Sequence, residues 1–337
     1  MKAYLQKLIQ RQNLGEGETG AAFDTIMDGL ATPAQLGAFL AAMRIKGETP
    51  EEIAGAAGSM RRHAVFVDPR GKAVVDTCGT GGDSLSTFNI STTAAFVVAG
   101  AGVPVAKHGN RAITSQCGSA DVLGALGVNL DALPEVMEES IHEVGIGFLF
   151  AQKLHPAMKH AAGPRRELGI RTLFNMLGPL TNPAGAKCQV LGVFAPELTE
   201  VFAEVLRRLG STRVFVVHGQ DGMDEITTTT TTRVSELRNG TVRTYELDPL
   251  QFIEQVASLE SLKGGDPTTN ARILSEVLAG AKGPCRDIVC LNAAAGIVAG
   301  GKAADLQAGF KAAEESIDSG RARQALDGLI RKTQEGR

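Results

Sequence analysis

The segment Asp76-Thr-Cys-Gly-Thr-Gly-Gly-Asp-Ser-Leu-Ser-Thr-Phe-Asn-Ile-Ser-Thr92 packs glycines and hydroxyls between two apolar runs. The run before it, Ala73 to Val75, is short and β-branched and reads as a strand; the run after it, Thr92 to Ala101, is rich in Ala and Val and reads as a buried helix. The chain therefore passes from strand to helix through a glycine loop. Gly79, Gly81 and Gly82 have no Cβ, so the backbone can take positive φ and let several N–H groups converge on an anion. Ser84, Ser86, Thr87, Asn89, Ser91 and Thr92 add neutral donors beside the positive end of the following helix. Neither common nucleotide fingerprint fits: no Lys follows the glycines as a Walker loop requires, and Asp83 and Ser84 break the Gly-x-Gly-x-x-Gly spacing. The loop reads as a phosphate cradle of another kind, with a plain glycine turn as the alternative.

The same alternation continues along the chain. Val74 to Val75, Val103 to Ala106, Ile146 to Phe150, Val190 to Phe194, Val214 to Val217 and Ile288 to Leu291 are strand candidates separated by helical stretches. That rhythm predicts an α/β fold with a central, mostly parallel sheet flanked by helices. Ligands in such folds gather at the carboxyl ends of the strands, and Asp76, Lys107, Ala151 and His218 each follow a strand candidate directly.

The first 66 residues read instead as helices. Thr32-Pro33-Ala34-Gln35 and Thr49-Pro50-Glu51-Glu52 each supply a hydroxyl N-cap, a Pro at the first helical position and Gln or Glu two residues later. Leu36, Phe39, Leu40 and Met43 recur at helical spacing and predict one buried stripe. Asn292-Ala-Ala-Ala-Gly296 is expected to bring a helix close to another backbone. Thr227 to Thr232, a run of threonines, suits an extended segment.

With 337 residues, 43% of them hydrophobic, the chain can fill one large or two moderate cores. A net charge of -3 offers no broad basic surface, so no nucleic-acid or membrane partner is expected and any phosphate must be gripped locally. No apolar run approaches the roughly 18 residues of a spanning helix, and Met1 to Gln12 lacks the apolar core of a signal peptide; the expected location is cytoplasmic. Cys78, Cys117, Cys188, Cys285 and Cys290 form no C-x-x-C pair, which disfavours structural zinc. Cys78 and Cys117 flank candidate site segments and are either nucleophiles or small packing residues.

Further polar segments follow the later strands. Lys107-His108-Gly109-Asn110-Arg111 leads into Thr114-Ser115-Gln116-Cys117-Gly118-Ser119-Ala120-Asp121, where Ser119 is the expected N-cap of a helix and a second phosphate contact. Phe148 to Met158 runs into a helix bearing Lys159, His160, Arg165 and Arg166. Apolar surface beside fixed positive charge suits an aromatic acid, although a solvated basic helix face explains Lys159, His160 and Arg166 as well. Asn175 to Pro183 holds two prolines and a glycine and reads as a rigid turn. Finally, His218-Gly-Gln-Asp-Gly-Met-Asp-Glu225 places Asp221, Asp224 and Glu225 on a loop after a strand, hard-oxygen ligands of the kind magnesium takes beside substrate phosphates; an acidic surface turn is the competing reading.

In this order the segments resemble the anthranilate phosphoribosyltransferase family, which joins anthranilate to phosphoribosyl pyrophosphate in tryptophan biosynthesis. The matching pieces are Asp76 to Thr92, Lys-His-Gly-Asn-Arg at 107 to 111, Cys-Gly-Ser-Ala-Asp-Val-Leu at 117 to 123, His-Pro-Ala-Met-Lys at 155 to 159, Arg-Arg-Glu-Leu-Gly-Ile-Arg-Thr at 165 to 172, Asn-Met-Leu-Gly-Pro-Leu-Thr-Asn-Pro at 175 to 183 and Val-His-Gly-Gln-Asp-Gly-Met-Asp-Glu at 217 to 225. The resemblance implies a helical domain over 1–68, with a later helical insertion near 165–185, beside an α/β domain over 69–337 of the nucleoside phosphorylase and phosphoribosyltransferase type, paired as a homodimer through its helices. It implies that Gly79, Gly82, Asp83, Thr87, Asn89, Ser91, Thr92, Lys107 and Ser119 hold phosphoribosyl pyrophosphate. Asp224 and Glu225, with Ser91, would hold magnesium. Gly79, His108, Asn110, Ala151, His155, Arg165 and Gly178 would form the anthranilate site, with His108, Asn110 and Arg165 closest to the chemistry and Arg165 on the carboxylate.

One departure is visible: where many members carry Gly-Pro-Thr shortly after the acidic pair, this chain has Thr227 to Thr232 and Arg233. An altered, more mobile loop is expected there, with catalysis intact. Two other readings share the fold class. A pyrimidine nucleoside phosphorylase would need a Lys-His-Ser/Thr-Thr-Gly-Gly loop that Asp76 to Gly79 does not provide, and a non-catalytic nucleic-acid-binding relative fits poorly with the net charge.

Overall fold

The computed structural model describes residues 1–83, 85–112 and 116–335, so Ser84, Thr114 and Ser115 of the candidate loops lie outside the described residues. The chain opens with helices α1 (Lys2–Ile9), α2 (Glu16–Met27), α3 (Pro33–Lys46) and α4 (Pro50–Arg62). The predicted caps form as read: the Thr32 hydroxyl accepts from Gln35 N and the Thr49 hydroxyl from Glu52 N, each closed into a reciprocal capping box. Glu52 is fully buried, and its carboxylate accepts from Leu14 N, Thr49 N and Lys46 Nζ, each at 2.8 Å. One acid thus ties α3, α4 and the connection between α1 and α2 together.

The remainder alternates strand and helix: β1 (Val75–Gly79), α5 (Ile90–Gly100), β2 (Val105–Gly109), α6 (Ser119–Ala125), α7 (Pro134–Glu143), β3 (Ile146–Phe150), α8 (Ala151–Leu154), α9 (Lys159–Leu168), α10 (Phe174–Leu177), β4 (Cys188–Gly192), α11 (Leu198–Arg208), β5 (Arg213–Gly219), β6 (Thr232–Arg238), β7 (Thr241–Leu247), α12 (Pro267–Leu278), α13 (Pro284–Ala299), α14 (Leu306–Asp318) and α15 (Arg321–Glu335). The strands form one 7-stranded sheet in the order β3-β2-β1-β4-β5-β6-β7. Pairs from β3 through β5 are parallel, and β6 and β7 add antiparallel. Strand order reverses at β1, with β2 on one side and β4 on the other, and that reversal opens a crevice above its carboxyl end.

Each face of the sheet carries its own core. Val75, Val105, Phe215 and Val217 bury against α5, α13, α14 and α15, whereas Cys78, Leu191, Val214 and Val216 bury against α11 and the amino-terminal helices. Ala161, Phe174 and Leu177, from the later helices, join this second core.

Three readings need correction. Ile288 to Leu291 is not a strand but lies in the first half of α13, which is buried on all sides; in such a helix periodicity vanishes and a short apolar run is ambiguous. The antiparallel pair β6 and β7 has no counterpart among the strand candidates, although Asn239-Gly240 with φ of 51° and 76° is the two-residue turn that joins such strands. The threonine run is bent rather than extended until Thr232, because the hydroxyls of Thr227 and Thr229 both donate to Asp221 and fold the segment back. The expected close approach near Asn292 to Gly296 is present: a Cβ on Gly309 of α14 would come within 2.7 Å of the Ala294 carbonyl oxygen.

Candidate active site

The loops that follow β1, β2 and β5 enclose a cavity of about 340 Å³ at the carboxyl end of the sheet. Gly81 and Gly82 take φ of 66° and 87°, the conformation that turns N–H groups inward and that only glycine adopts without strain. Thirteen of the predicted residues line this cavity: Gly79, Gly82, Asp83, Thr87, Asn89, Ser91, Thr92, Lys107, His108, Asn110, Ser119, Asp224 and Glu225.

The acidic pair reaches across from β5 to meet the glycine loop. Asp224 Oδ2 accepts from Gly81 N at 2.8 Å, and Glu225 Oε1 accepts from Ser91 N at 3.1 Å. Glycine is required at Gly192, where a Cβ would collide with the Asp224 backbone carbonyl, whereas a Cβ on Gly79 would press on the movable Asp224 Oδ2 at 2.6 Å. Burial raises the pKa of Asp224 to about 7, with the charge of Asp83 adding to it. Burial likewise raises Glu225 to about 8, reinforced by Asp224 and opposed by Lys107. Two crowded carboxylates with hard oxygens and raised pKa values are what a divalent cation stabilises. Among the described residues no third His, Cys, Asp or Glu completes a metal-binding group, so a cation here must draw its other oxygens from hydroxyl, water or ligand.

Lys107 lies beneath the glycine loop. It is buried, donates to the Thr77 carbonyl and has its pKa lowered by burial, while the charges of Asp76, Cys78 and Glu225 pull the other way. Asp76, one of the polar residues directly after a strand candidate, lies inside the sheet: its Oδ1 accepts from His108 N at 3.0 Å and its Oδ2 from Asn182 Nδ2 at 2.8 Å. It positions the start of the second loop rather than facing the cavity.

Ser119 is not an N-cap. Gly118 occupies that position, and Ser119 is the first helical residue of α6, its hydroxyl accepting from Asn110 N and donating to Asn110 O. Asn89 likewise braces the site, donating to Cys117 O and accepting from Asn270 Nδ2. Neither candidate thiol is activated: burial pushes Cys78 well above its ordinary value and Cys117 up to about 11.

Four predicted residues lie outside the cavity lining. His155 sits behind His108, with the two Nε2 atoms 3.2 Å apart, and the backbone of Gly178 bonds the His108 ring on another side. Burial lowers His108 to about 3 and His155 to about 4, so both rings are neutral near pH 7. Ala151 begins α8 immediately after β3, and Arg165 on α9 stacks its guanidinium 4.8 Å from the Phe174 ring centre. Lys159, His160 and Arg166 are exposed, as a solvated face requires.

Sequence reading missed several lining residues, among them Arg111, Arg171, Asn175 and Phe194. Arg171 lies over the Phe194 ring at 4.8 Å and donates to the Gly82 carbonyl at 3.3 Å, holding the glycine loop from outside. Its only signal was a place inside the basic segment 165–172.

The profile of the glycosyl transferase family, helical bundle domain, matches residues 2–64, and that of the glycosyl transferase family, a/b domain, matches residues 71–323. The chain is 59% identical to the anthranilate phosphoribosyltransferase of Syntrophobacter fumaroxidans over 98% of both chains. It is 56% identical to that of Acetivibrio thermocellus over 99% of this chain and 96% of the relative. The crystal structure of anthranilate phosphoribosyltransferase from Thermus thermophilus superimposes with a TM-score of 0.93 at 45% identity, covering 98% of this chain and 99% of that one. The Saccharomyces cerevisiae enzyme in complex with PRPP and Mg gives a TM-score of 0.89 at 31% identity, covering 99% of this chain and 97% of the other.

Proposed function

The chain belongs to the anthranilate phosphoribosyltransferase family, and we propose how its residues divide the work of that family's reaction. The protein transfers the phosphoribosyl group of phosphoribosyl pyrophosphate to the amine of anthranilate, releasing pyrophosphate. The observation that carries the residue assignment is the contact between the acidic pair and the glycine loop through Gly81 N and Ser91 N.

In this assignment the N–H groups around Gly79, Gly82 and Asp83, with Thr87, Asn89, Ser91, Thr92, Lys107 and Ser119, bind the phosphates and ribose. Asp224 and Glu225, assisted by the Ser91 hydroxyl, would hold magnesium. When bound, the cation neutralises charge on the leaving pyrophosphate. The protein's own residues fix the donor so that ribose C1 faces the second loop, and exclude water from the oxocarbenium-like centre that develops there. Anthranilate approaches from the side of His108, Asn110, Ala151, His155 and Gly178, with Arg165 directed to its carboxylate. The C–O bond to pyrophosphate breaks as the amine nitrogen bonds to C1, and the excess proton on nitrogen passes to water or to the departing pyrophosphate, because His155 and the Gly178 backbone already engage the His108 ring. A weakly basic aryl amine needs no strong base before it attacks, which is compatible with the low pKa of His108.

The boundary near 68/69, with the 165–185 insertion counted with the helical unit, accords with the shared core of α2, α3, α9 and α10. Exposed Ile9 on α1 and Ile45 on α3, 75% and 73% accessible, support a homodimer through these helices. No helix among the described residues is long and apolar enough to cross a membrane, and a cytoplasmic location fits a biosynthetic role.

The test is loss of anthranilate fluorescence on mixing with phosphoribosyl pyrophosphate and magnesium, repeated with a pyrimidine nucleoside and phosphate. Activity is expected in the first mixture; activity confined to the second overturns the reading.

A further inference from the structure

A second cavity, of about 330 Å³, lies between the antiparallel end of the sheet and the start of α14. It opens beside Arg213, the first residue of β5, whereas the catalytic cavity opens beyond the other end of the strands. Seven residues of extended strand separate the two ends of β5 by roughly 20 Å, so a ligand in one cavity does not touch the other.

Arg213 and Arg238 face each other as register partners across β5 and β6, and both line this cavity. Like charges placed directly opposite destabilise a sheet unless an anion lies between them. The protein supplies little relief. Glu236 Oε1 stands 4.0 Å from Arg213 Nε, beyond hydrogen-bonding distance, and Glu236 Oε2 is engaged by the Tyr245 hydroxyl at 3.2 Å. Arg213 Nε is buried with no hydrogen-bond partner. Burial and the neighbouring Arg238 charge lower the pKa of Arg213 from its ordinary value, and the charge of Glu236 opposes them only in part. Phe215, Leu247, Phe252, Val298 and Leu306 supply the apolar part of the lining, beside Gln251, Gln307 and Asp305, whose Oδ1 is engaged by Ala308 N as the cap of α14.

Two facing guanidinium groups beside rings and aliphatic side chains suit an anionic head on an apolar body. We propose that this cavity is a second ligand site, taking a small molecule with one carboxylate on an apolar body, the carboxylate between Arg213 and Arg238 and the body against Phe215, Phe252 and Val298. A planar carboxylate meets the fork geometry of guanidinium groups, and the cavity has the size common for small-molecule sites.

The probe is 3-phenylpropionate, titrated calorimetrically into the full-length protein at neutral pH. Binding with a Kd of about 1 mM or tighter is expected, as one charged contact and one buried ring support. Arg238→Gln, at an exposed strand end, is expected to weaken binding about tenfold or more while leaving turnover unchanged. Arg165→Ala, altered on the far side of the molecule in the catalytic region, is expected to bind the probe as the unmodified protein does. Absence of binding overturns the proposal, as does loss of binding in Arg165→Ala with retention in Arg238→Gln. Inorganic phosphate binding as tightly as 3-phenylpropionate would overturn the role given to the apolar walls.

Discussion

His108 Nε2 and His155 Nε2 lie 3.2 Å apart in the interior behind the cavity, a separation bridged by one proton, so one ring donates and the other accepts. Burial holds both pKa values below the ordinary 6.5, at about 3 for His108 and about 4 for His155, and the neighbouring His155 lowers His108 further. The unfolded chain therefore binds more protons than the folded one between these values and 6.5. Stability rises with pH in that window and is lost as pH falls through it, by up to about 1.4 kcal/mol per pH unit for each ring. Urea midpoints measured from pH 6.5 down to 4.5 are expected to fall, and less steeply in His155→Gln; equal slopes would show that the pair is not the source.

Asp224 and Glu225 crowd two half-buried carboxylates together, and the proposed assignment gives them a cation. Asp224→Asn keeps an oxygen for Gly81 N but removes one charge. Without divalent cation this variant is expected to be more stable than the parent, by about 1 kcal/mol, and at saturating magnesium to lose about 100-fold or more in turnover. Thermal melts with and without magnesium, together with steady-state rates, separate the two effects.

Gly192 and Gly79 make room for Asp224 in different ways. A Cβ at Gly192 would strike the Asp224 backbone carbonyl, which cannot rotate aside, whereas a Cβ at Gly79 would meet the movable end of the carboxylate. Gly192→Ala is expected to destabilise the fold by about 1 to 3 kcal/mol. Gly79→Ala is expected to fold normally and raise the KM for phosphoribosyl pyrophosphate. Denaturation midpoints paired with KM values distinguish them.

Arg165 and Arg171 each stack on a phenylalanine, and the proposed assignment puts them in different halves of the reaction. Arg165→Ala is expected to raise the KM for anthranilate about tenfold or more while leaving that for phosphoribosyl pyrophosphate near its original value. Arg171→Ala, which frees the Gly82 carbonyl, is expected to do the reverse. Two-substrate kinetics on both variants is the check; a shared pattern would remove the distinction.

Lys46 and Glu52 form an ion pair with side chains 4% and 0% exposed. Lys46→Met would leave a buried carboxylate with backbone donors alone, at a cost of about 3 to 5 kcal/mol. Denaturant unfolding of the full chain is the measurement, and a loss below about 1 kcal/mol would contradict this role.

The parts of the fold that could be read in the sequence were those with local punctuation. The Thr-Pro caps at 32 and 49 and the glycines at 79 to 82 impose geometry on their own neighbourhood, and the structure follows them. The antiparallel strands escape notice although Asn239-Gly240 marks their turn, because partly buried residues blur alternation along β7. Ile288 to Leu291 misleads because a helix buried all round has no polar face to set its period. Most cavity residues were legible because polar side chains after strands are conspicuous. Arg171 and Phe194 were not, since their place depends on how α9, α10 and β4 pack rather than on neighbours in the chain.

The hydrogen bond from Gly81 N to Asp224 has a kinetic meaning. A loop amide that a phosphate would seek is already committed to a negatively charged group, so a bare polyanion meets both a competitor and a repulsion. A donor arriving with its charge compensated would meet neither, because a cation held by Asp224 would give the carboxylate a better partner and leave the amide to the phosphate. Under the proposed assignment the site would discriminate by the state in which its substrate travels, and free phosphate or uncomplexed pyrophosphate in the surrounding solution would gain little hold on the loop.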